Sequence, residues 1–301
     1  MYNYCNLEKK ILYIAKNEYS FFLNKNNVLG LGLGQKIKNG FNTLQPCITV
    51  FVRHKLLSNK VSMKDLVPYL YKGIPTDVIE CGNITASSLN EKIRPAPGGY
   101  NIGSLLSSGG TLGCLVADTR FTYVLSCNHI LAKNGLVPIG DPIIQPSKTF
   151  GGKIPNDTIA NLSIFIKLKT DTDNRVDCAM ARVSNSACVN KNIALLNKPI
   201  KGVALGKIGM GVQKVGYRTE RTLGKITVVG STLTMDISEK SYRFVNQIWT
   251  TKMDDKGDSG AILLTRDMNA IGLLIGSSNV GTLFNPIQKV LNSLNVEIIT
   301  G

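Results

Sequence analysis

Apolar and polar residues alternate with a period that changes several times along the chain, and each change marks an element. Over residues 4–24, Leu7, Ile11, Ile14 and Ala15 recur at helical spacing with Lys9, Lys10 and Lys16 between them, which predicts an amphipathic helix. Residues 28–38 read as a strand carrying Gly30, Gly32 and Gly34, Lys38-Asn39-Gly40 as a turn, and residues 47–53 as a second strand. The pair is expected to form a hairpin with a loop of several residues. The three glycines lack the spacing of a nucleotide-binding fingerprint, and no helix follows them directly. A short helix is expected over residues 62–71, with Pro68 in its first turns where proline is tolerated, and a short strand over 76–80. These elements make a small α+β unit of about 90 residues, a usual domain size. Arg94-Pro95-Ala96-Pro97-Gly98-Gly99 reads as the linker that ends it.

Beyond that stretch the pattern is mostly that of strands. They are expected at residues 111–117, 121–126, 143–146, 161–168 and 177–183, and then at 211–215, 224–229, 232–237, 244–251, 261–264 and 270–277. A helix over residues 286–294 closes the chain, because Ile287, Val290, Leu291 and Leu294 fall on one face.

Composition adds constraints. The 301 residues are enough for a sizeable core, and 29 glycines suit many turns between short strands. Lysine and arginine exceed aspartate and glutamate by 35 to 20, a net charge of +15, which favours acidic partners. The basic residues are nevertheless scattered in ones and twos, so nucleic acid is not the partner this pattern points to. No apolar run approaches the ~18 residues of a membrane helix, and no membrane partner is expected. Leu7-Glu8-Lys9-Lys10-Ile11-Leu12 alternates in a way that a secretory leader does not. Seven cysteines, none in a Cys-x-x-Cys pair, argue against zinc; neither a metal nor a cofactor is expected. The thiols read as reduced and the protein as cytoplasmic.

One motif concentrates the chemistry. In Lys256-Gly257-Asp258-Ser259-Gly260-Ala261 a serine stands between glycines, at the end of a polar loop and ahead of the apolar run Ile262-Leu263-Leu264. Gly257 lets the backbone turn so that its own N–H and that of Ser259 point at one spot, as an oxyanion hole requires. A serine nucleophile needs a base, and the chain has two histidines, His54 and His129, both at strand ends. Arg175-Val176-Asp177-Cys178-Ala179 places a carboxylate inside an apolar strand. Burying it costs several kcal/mol, on the order of 2–7, unless it is hydrogen-bonded, and a histidine N–H is a suitable partner. His54 reads instead as a solvated residue in a basic loop.

At this point the chain resembles the chymotrypsin-like (trypsin-like) serine proteases, in particular intracellular bacterial members. The residues that carry the resemblance are Thr111-Leu112-Gly113-Cys114-Leu115-Val116, Leu125-Ser126-Cys127-Asn128-His129, Val176-Asp177-Cys178-Ala179-Met180, Val215-Gly216-Tyr217-Arg218-Thr219 and Gly257-Asp258-Ser259-Gly260, spread over residues 96–301. The resemblance implies a mostly β fold: two six-stranded antiparallel β-barrels preceded by the small α+β N-terminal domain. Residues 1–95 would be the accessory domain with its linker, 96–196 the first barrel with His129 and Asp177, and 197–301 the second barrel with Ser259 and the C-terminal helix. It implies a His129, Asp177, Ser259 triad, an oxyanion hole from the N–H groups of Gly257 and Ser259, and a protein or peptide substrate. The family pattern puts the base of the primary pocket at Met253, with Asp254 next to it. It makes Ile275, Gly276 and Ser277 the strand that pairs with substrate. An apolar pocket and one that takes Lys or Arg both stay open. Secreted relatives place a cysteine directly after the histidine; here Ile130 holds that place, and Cys114–Cys127 is the one alternative pairing. No start resembling the freed N-terminus of activated secreted enzymes is visible, so Asp258 is expected to pair with an internal group.

The function expected is that of a serine endopeptidase. The alternative is a latent or non-catalytic scaffold whose N-terminal domain binds a regulatory partner, in stress or phage-defence signalling, or mediates self-association.

Overall fold

A computed structural model describes residues 4–82 and 89–301. The chain divides into two units, residues 1–87 and 88–301.

In the first unit, helix α1 (Asn6–Asn17) and the single turn α2 (Ser20–Leu23) stand where one helix was expected. They are followed by strands β1 (Val28–Lys38), β2 (Phe41–Val52), β3 (Leu70–Tyr71) and β4 (Ile74–Glu80), in the sheet order β1-β2-β4-β3. Ile11, Ile14 and Phe22 from the helices and Val28, Ile48, Val50 and Ile74 from the strands are buried together as its core. Two expectations fail. The hairpin loop is only Asn39-Gly40, both at positive φ (49° and 81°), and β2 starts six residues earlier than the pattern suggested. Such a two-residue turn matches the twist of the strands it joins. The helix over 62–71 does not form. The Asp65 carboxylate is taken by Asn26 N–H (2.9 Å) and Ser62 Oγ (2.6 Å), and Pro68 brings no N–H. Thr76 then draws the chain into the sheet through Pro68 O (2.6 Å) and Tyr69 O. His54 is exposed, with Nδ1 3.7 Å from Glu80.

The second unit opens with β5 (Ala96–Gly98), β6 (Asn101–Ile102), β7 (Gly110–Thr111), β8 (Cys114–Ala117) and β9 (Thr122–Ser126), then the single helical turn α3 (Asn128–Leu131). Strands β10 (Pro142–Ile144), β11 (Thr158–Phe165), β12 (Ala179–Val183), β13 (Val189–Ile193) and β14 (Lys198–Pro199) follow. Then come β15 (Gly202–Val203), β16 (Gly211–Gly216), β17 (Glu220–Ile237), β18 (Lys240–Thr251), β19 (Ile262–Thr265), β20 (Asn269–Ser277) and β21 (Gly281–Pro286). Helix α4 (Ile287–Leu294) and β22 (Glu297–Ile298) end the chain. The protein is mostly β: 45% of the described residues are in strands and 14% in helices.

Two large sheets build this unit. The first has the order β10-β11-β12-β9-β8-β22, and no pairing joins its ends among the described strands. The second has the order β15-β20-β19-β16-β17-β18-β21, and an added β20–β21 pairing returns it on itself. Two closed six-stranded barrels are therefore not what the hydrogen bonding displays. One apolar cluster runs through both sheets, from Val116, Leu125 and Met180 to Leu264 and Leu273, and takes in the buried face of α4 (Ile287, Val290, Leu291, Leu294).

Three expectations change here. The stretch expected as a linker is built in: β5 pairs in parallel with β13, and a Cβ on Gly98 would lie 2.5 Å from Gly113 O. That glycine serves close packing, not freedom. Asp177 lies two residues before β12, not within a strand. The two strands expected at 224–229 and 232–237 are one long strand, β17, because bulges around Val228, Ser231 and Leu233 absorb the break signalled by Gly230.

Candidate active site

His129 follows β9 directly, on α3. The turn is held from both sides by amides: Asn128 Nδ2 donates to Ile166 O (2.7 Å), and Asn134 N–H donates to Asn128 Oδ1 (3.0 Å). Asp177 is fully buried. Its Oδ2 lies 2.5 Å from His129 Nδ1, and its Oδ1 accepts the His129 backbone N–H at 3.2 Å. An ionised carboxylate only accepts, so this contact suits the tautomer with the proton on Nδ1, and in the neutral ring of that tautomer Nε2 keeps a free lone pair. Asp177 is itself positioned by a polar chain across the sheets. Its N–H donates to Asn285 Oδ1 (2.7 Å), Asn285 Nδ2 to Gln247 Oε1 (2.6 Å), and Gln247 Nε2 to Arg175 O (2.9 Å). Asn285 and Gln247 were missed in the sequence. Their signal was an amide inside an otherwise apolar run, Asn285 after Leu283-Phe284 and the pair Asn246-Gln247 between Phe244-Val245 and Ile248-Trp249.

Ser259 is half-buried in the turn ahead of β19. Two residues, Thr111 and Leu274, tie this turn to the histidine segment. Thr111 donates its N–H to Ser259 O (2.8 Å) and receives Ser126 Oγ on its own carbonyl (2.8 Å). Leu274 O receives both Gly260 N–H (2.8 Å) and the Cys127 thiol (3.0 Å). No hydrogen bond joins Ser259 Oγ to His129 among the described residues; such bonds are often loose without substrate. Gly257 has φ 119°, and its carbonyl accepts Thr111 Oγ1 at 3.2 Å. The Asp258 N–H is satisfied by Asp255 O at 3.0 Å, whereas those of Gly257 and Ser259 meet no acceptor among the described residues. Two unused donors thus flank one used donor in this turn. Gly260, at φ 98°, is pressed against Thr111 O and the Ser126 hydroxyl. Gly260→Ala is expected to cost about 2 kcal/mol or more, which should lower the melting temperature by at least about 4 °C; thermal denaturation checks this.

Asp258 does pair with an internal group. Its carboxylate receives Lys214 Nζ (2.8 Å), Thr219 Oγ1 (2.5 Å) and the N–H groups of Arg218 (2.9 Å) and Thr219 (3.2 Å). Lys214 and Asp258 are both fully buried. Burial pulls the Lys214 ammonium below its ordinary value, against the charge of Asp258. Lys214 also escaped the sequence reading, although a lysine inside the strand expected at 211–215 was its signal.

The pocket residues separate. Met253 is buried among Val212, Ile226 and Ile248, and so faces the core. Asp254 is buried too, not solvated. It accepts Thr282 Oγ1 (2.5 Å) and pairs with Lys252 Nζ (3.2 Å), which also donates to Ser277 Oγ (2.7 Å). Ile275 is buried in the core, Gly276 half-buried and Ser277 exposed. Asp254 and Ser277 are thus brought together by Lys252, while Met253 and Ile275 turn away.

Cys127, His129 and Asp177 offer ligand atoms within 4.8 Å of one another. The donor set does not fit a metal: burial and the Asp177 charge push the Cys127 thiol well up, so it stays protonated, and Nδ1 is committed to Asp177. All seven cysteines carry free thiols. No helix among the described residues is long and apolar enough to cross a membrane.

No family model and no curated protein sequence matches the chain. Solved structures do. Thermobifida fusca Protease A matches with TM-score 0.51 and 18% identity, over 68% of this chain and 98% of its own. A glutamic-acid-specific serine protease matches with TM-score 0.52 and 18% identity, over 67% and 100%. Cellulomonas bogoriensis chymotrypsin matches with TM-score 0.50 and 19% identity, over 68% and 98%. The fold is that of the chymotrypsin-like serine proteases.

Proposed function

We propose that the protein is a serine endopeptidase of the trypsin-like type that cleaves proteins or peptides by acyl transfer, with Ser259 as nucleophile, His129 as base and Asp177 as its orienting acid. The observation that carries this is the buried Asp177 carboxylate, which grips His129 at both Nδ1 and the backbone N–H and leaves Nε2 free. In this reading Nε2 takes the Ser259 proton as Oγ attacks the scissile carbonyl. The imidazolium formed is stabilised by Asp177 and then protonates the leaving amine. The unused N–H groups of Gly257 and Ser259 receive the developing oxyanion. The Lys214–Asp258 pair holds that turn from inside, so no freed N-terminus is needed.

In this proposal an accessory N-terminal domain precedes a half bearing His129 and Asp177 and a half bearing Ser259. The bacterial, cytoplasmic setting and the N-terminal domain as a site for a regulatory partner or self-association belong to the same proposal. A latent or scaffold form is the second reading, favoured by the lack of a Ser259–His129 hydrogen bond among the described residues. A fluorophosphonate probe separates the two. It is expected to label the intact protein and not Ser259→Ala; no labelling of either form would favour the scaffold.

A further inference from the structure

The outer halves of β17 and β18 form an arm that reaches the groups beside His129. Tyr242 is buried, and its hydroxyl oxygen accepts Asn134 Nδ2 at 3.4 Å. Asn134 is the residue that clasps Asn128, next to the histidine. On the same arm, Arg243 O accepts the Asn174 N–H at 2.8 Å, in the segment that leads to Asp177. Directly across the ladder from Tyr242 stands Met235. Its sulfur fills the place that a side chain on Gly276 would take: a Cβ there would lie 2.5 Å from Met235 Sδ. Met235 is only half-buried, so part of the residue is open to solvent.

Gly276 belongs to the end of β20 that is paired on one side only. Gly276 and Ser277 face Leu283 and Thr282 of β21. On the other edge, β19 and the Gly260-Ala261 backbone ahead of it reach only as far as Leu274, so the backbone at 275–277 is unpaired on that edge among the described strands. Side chains alternate between faces along a strand. Ser277 and Thr282 stand opposite one another and share a face with Lys252 and Asp254. Gly276 looks to the other face, which Met235 covers.

We propose that Met235 is a specificity-determining residue: the apolar floor of a subsite for the second residue upstream of the cleaved bond, selecting an aliphatic side chain there. This rests on the protease reading. An extended peptide that adds to the free edge at Gly276 and Ser277 puts successive side chains on opposite faces. The residue whose carbonyl reaches Ser259 points to the face of Lys252 and Asp254, and the residue before it points to Met235. A thioether is polarizable and adapts to aliphatic partners of different shape. The glycine makes the subsite, because any side chain at 276 would displace the sulfur.

The test digests a proteome-derived peptide library with the full-length protein and sequences the new ends. It then compares kcat/KM for two peptides that differ only in Leu or Gly at the second upstream position. The Leu-to-Gly ratio is expected to be roughly 10 or more, to fall to about 1 in Met235→Ala, and to be kept in Met235→Leu. A ratio taken within one variant does not depend on how much of it is folded. An unchanged ratio in Met235→Ala would overturn the subsite and leave proteolysis standing. Labelling by fluorophosphonate without cleavage of any library peptide would also overturn the subsite. No labelling and no cleavage would overturn both.

Discussion

Ser259→Ala is expected to lose turnover by about a millionfold while keeping the stability of the intact protein. The kinetic loss follows from the unit character of a triad: without the nucleophile, the base and its orienting acid have nothing to activate, and only binding and the oxyanion donors remain. The unchanged stability follows from the structure. The Ser259 hydroxyl makes no hydrogen bond among the described residues, and the turn is held by backbone groups instead, Thr111 N–H to Ser259 O and Gly260 N–H to Leu274 O. Removing the oxygen therefore leaves no buried partner unsatisfied. Hydrolysis of fluorescently labelled casein and a thermal melt check the two halves. More than a few per cent residual hydrolysis would mean that another group is the nucleophile.

Lys214→Met is expected to cost about 3–5 kcal/mol in stability, because it leaves the Asp258 carboxylate charged and buried without its cation. Four further donors stay on that carboxylate, the Thr219 hydroxyl and the Asp255, Arg218 and Thr219 N–H groups, but none carries a compensating charge. Activity should fall about a hundredfold or more, since Asp258 sits between the two N–H groups that would bind the oxyanion. Adding Asp258→Asn is informative. The amide keeps an oxygen for the two N–H donors and removes the stranded charge, so the double variant should be more stable than Lys214→Met alone yet still impaired. Urea denaturation and casein hydrolysis of both variants give the comparison. Full stability and activity in Lys214→Met would show that the pair does not anchor the turn.

Much of the architecture was legible in local pattern. The period-two runs in the second unit, the helix closing the chain and the amphipathic start all correspond to elements, because each buries one face and the burial is written in the spacing of apolar residues. The failures have local causes as well. The helix expected over 62–71 lost to side-chain capture of its turn by Asp65 and to pairing at Thr76. The sequence pattern divides β17 into two strands because Gly230 resembles a break, whereas bulges carry the ladder through it.

By itself the amino-acid sequence determined the strand-rich second unit and the small α+β first unit, and it singled out Ser259, His129 and Asp177 as candidates. These are properties of composition and spacing within a few residues. Only the tertiary structure decided that Asp177 is oriented by Asn285 and Gln247, that Lys214 is the internal cation for Asp258, that Lys252 neutralises Asp254, and that Met235 lies where a side chain on Gly276 would be. Each of these pairs joins segments far apart in the chain. A lone polar or small residue in a strand signals that something must meet it, but the partner is set by sheet register and by what the fold leaves no room for.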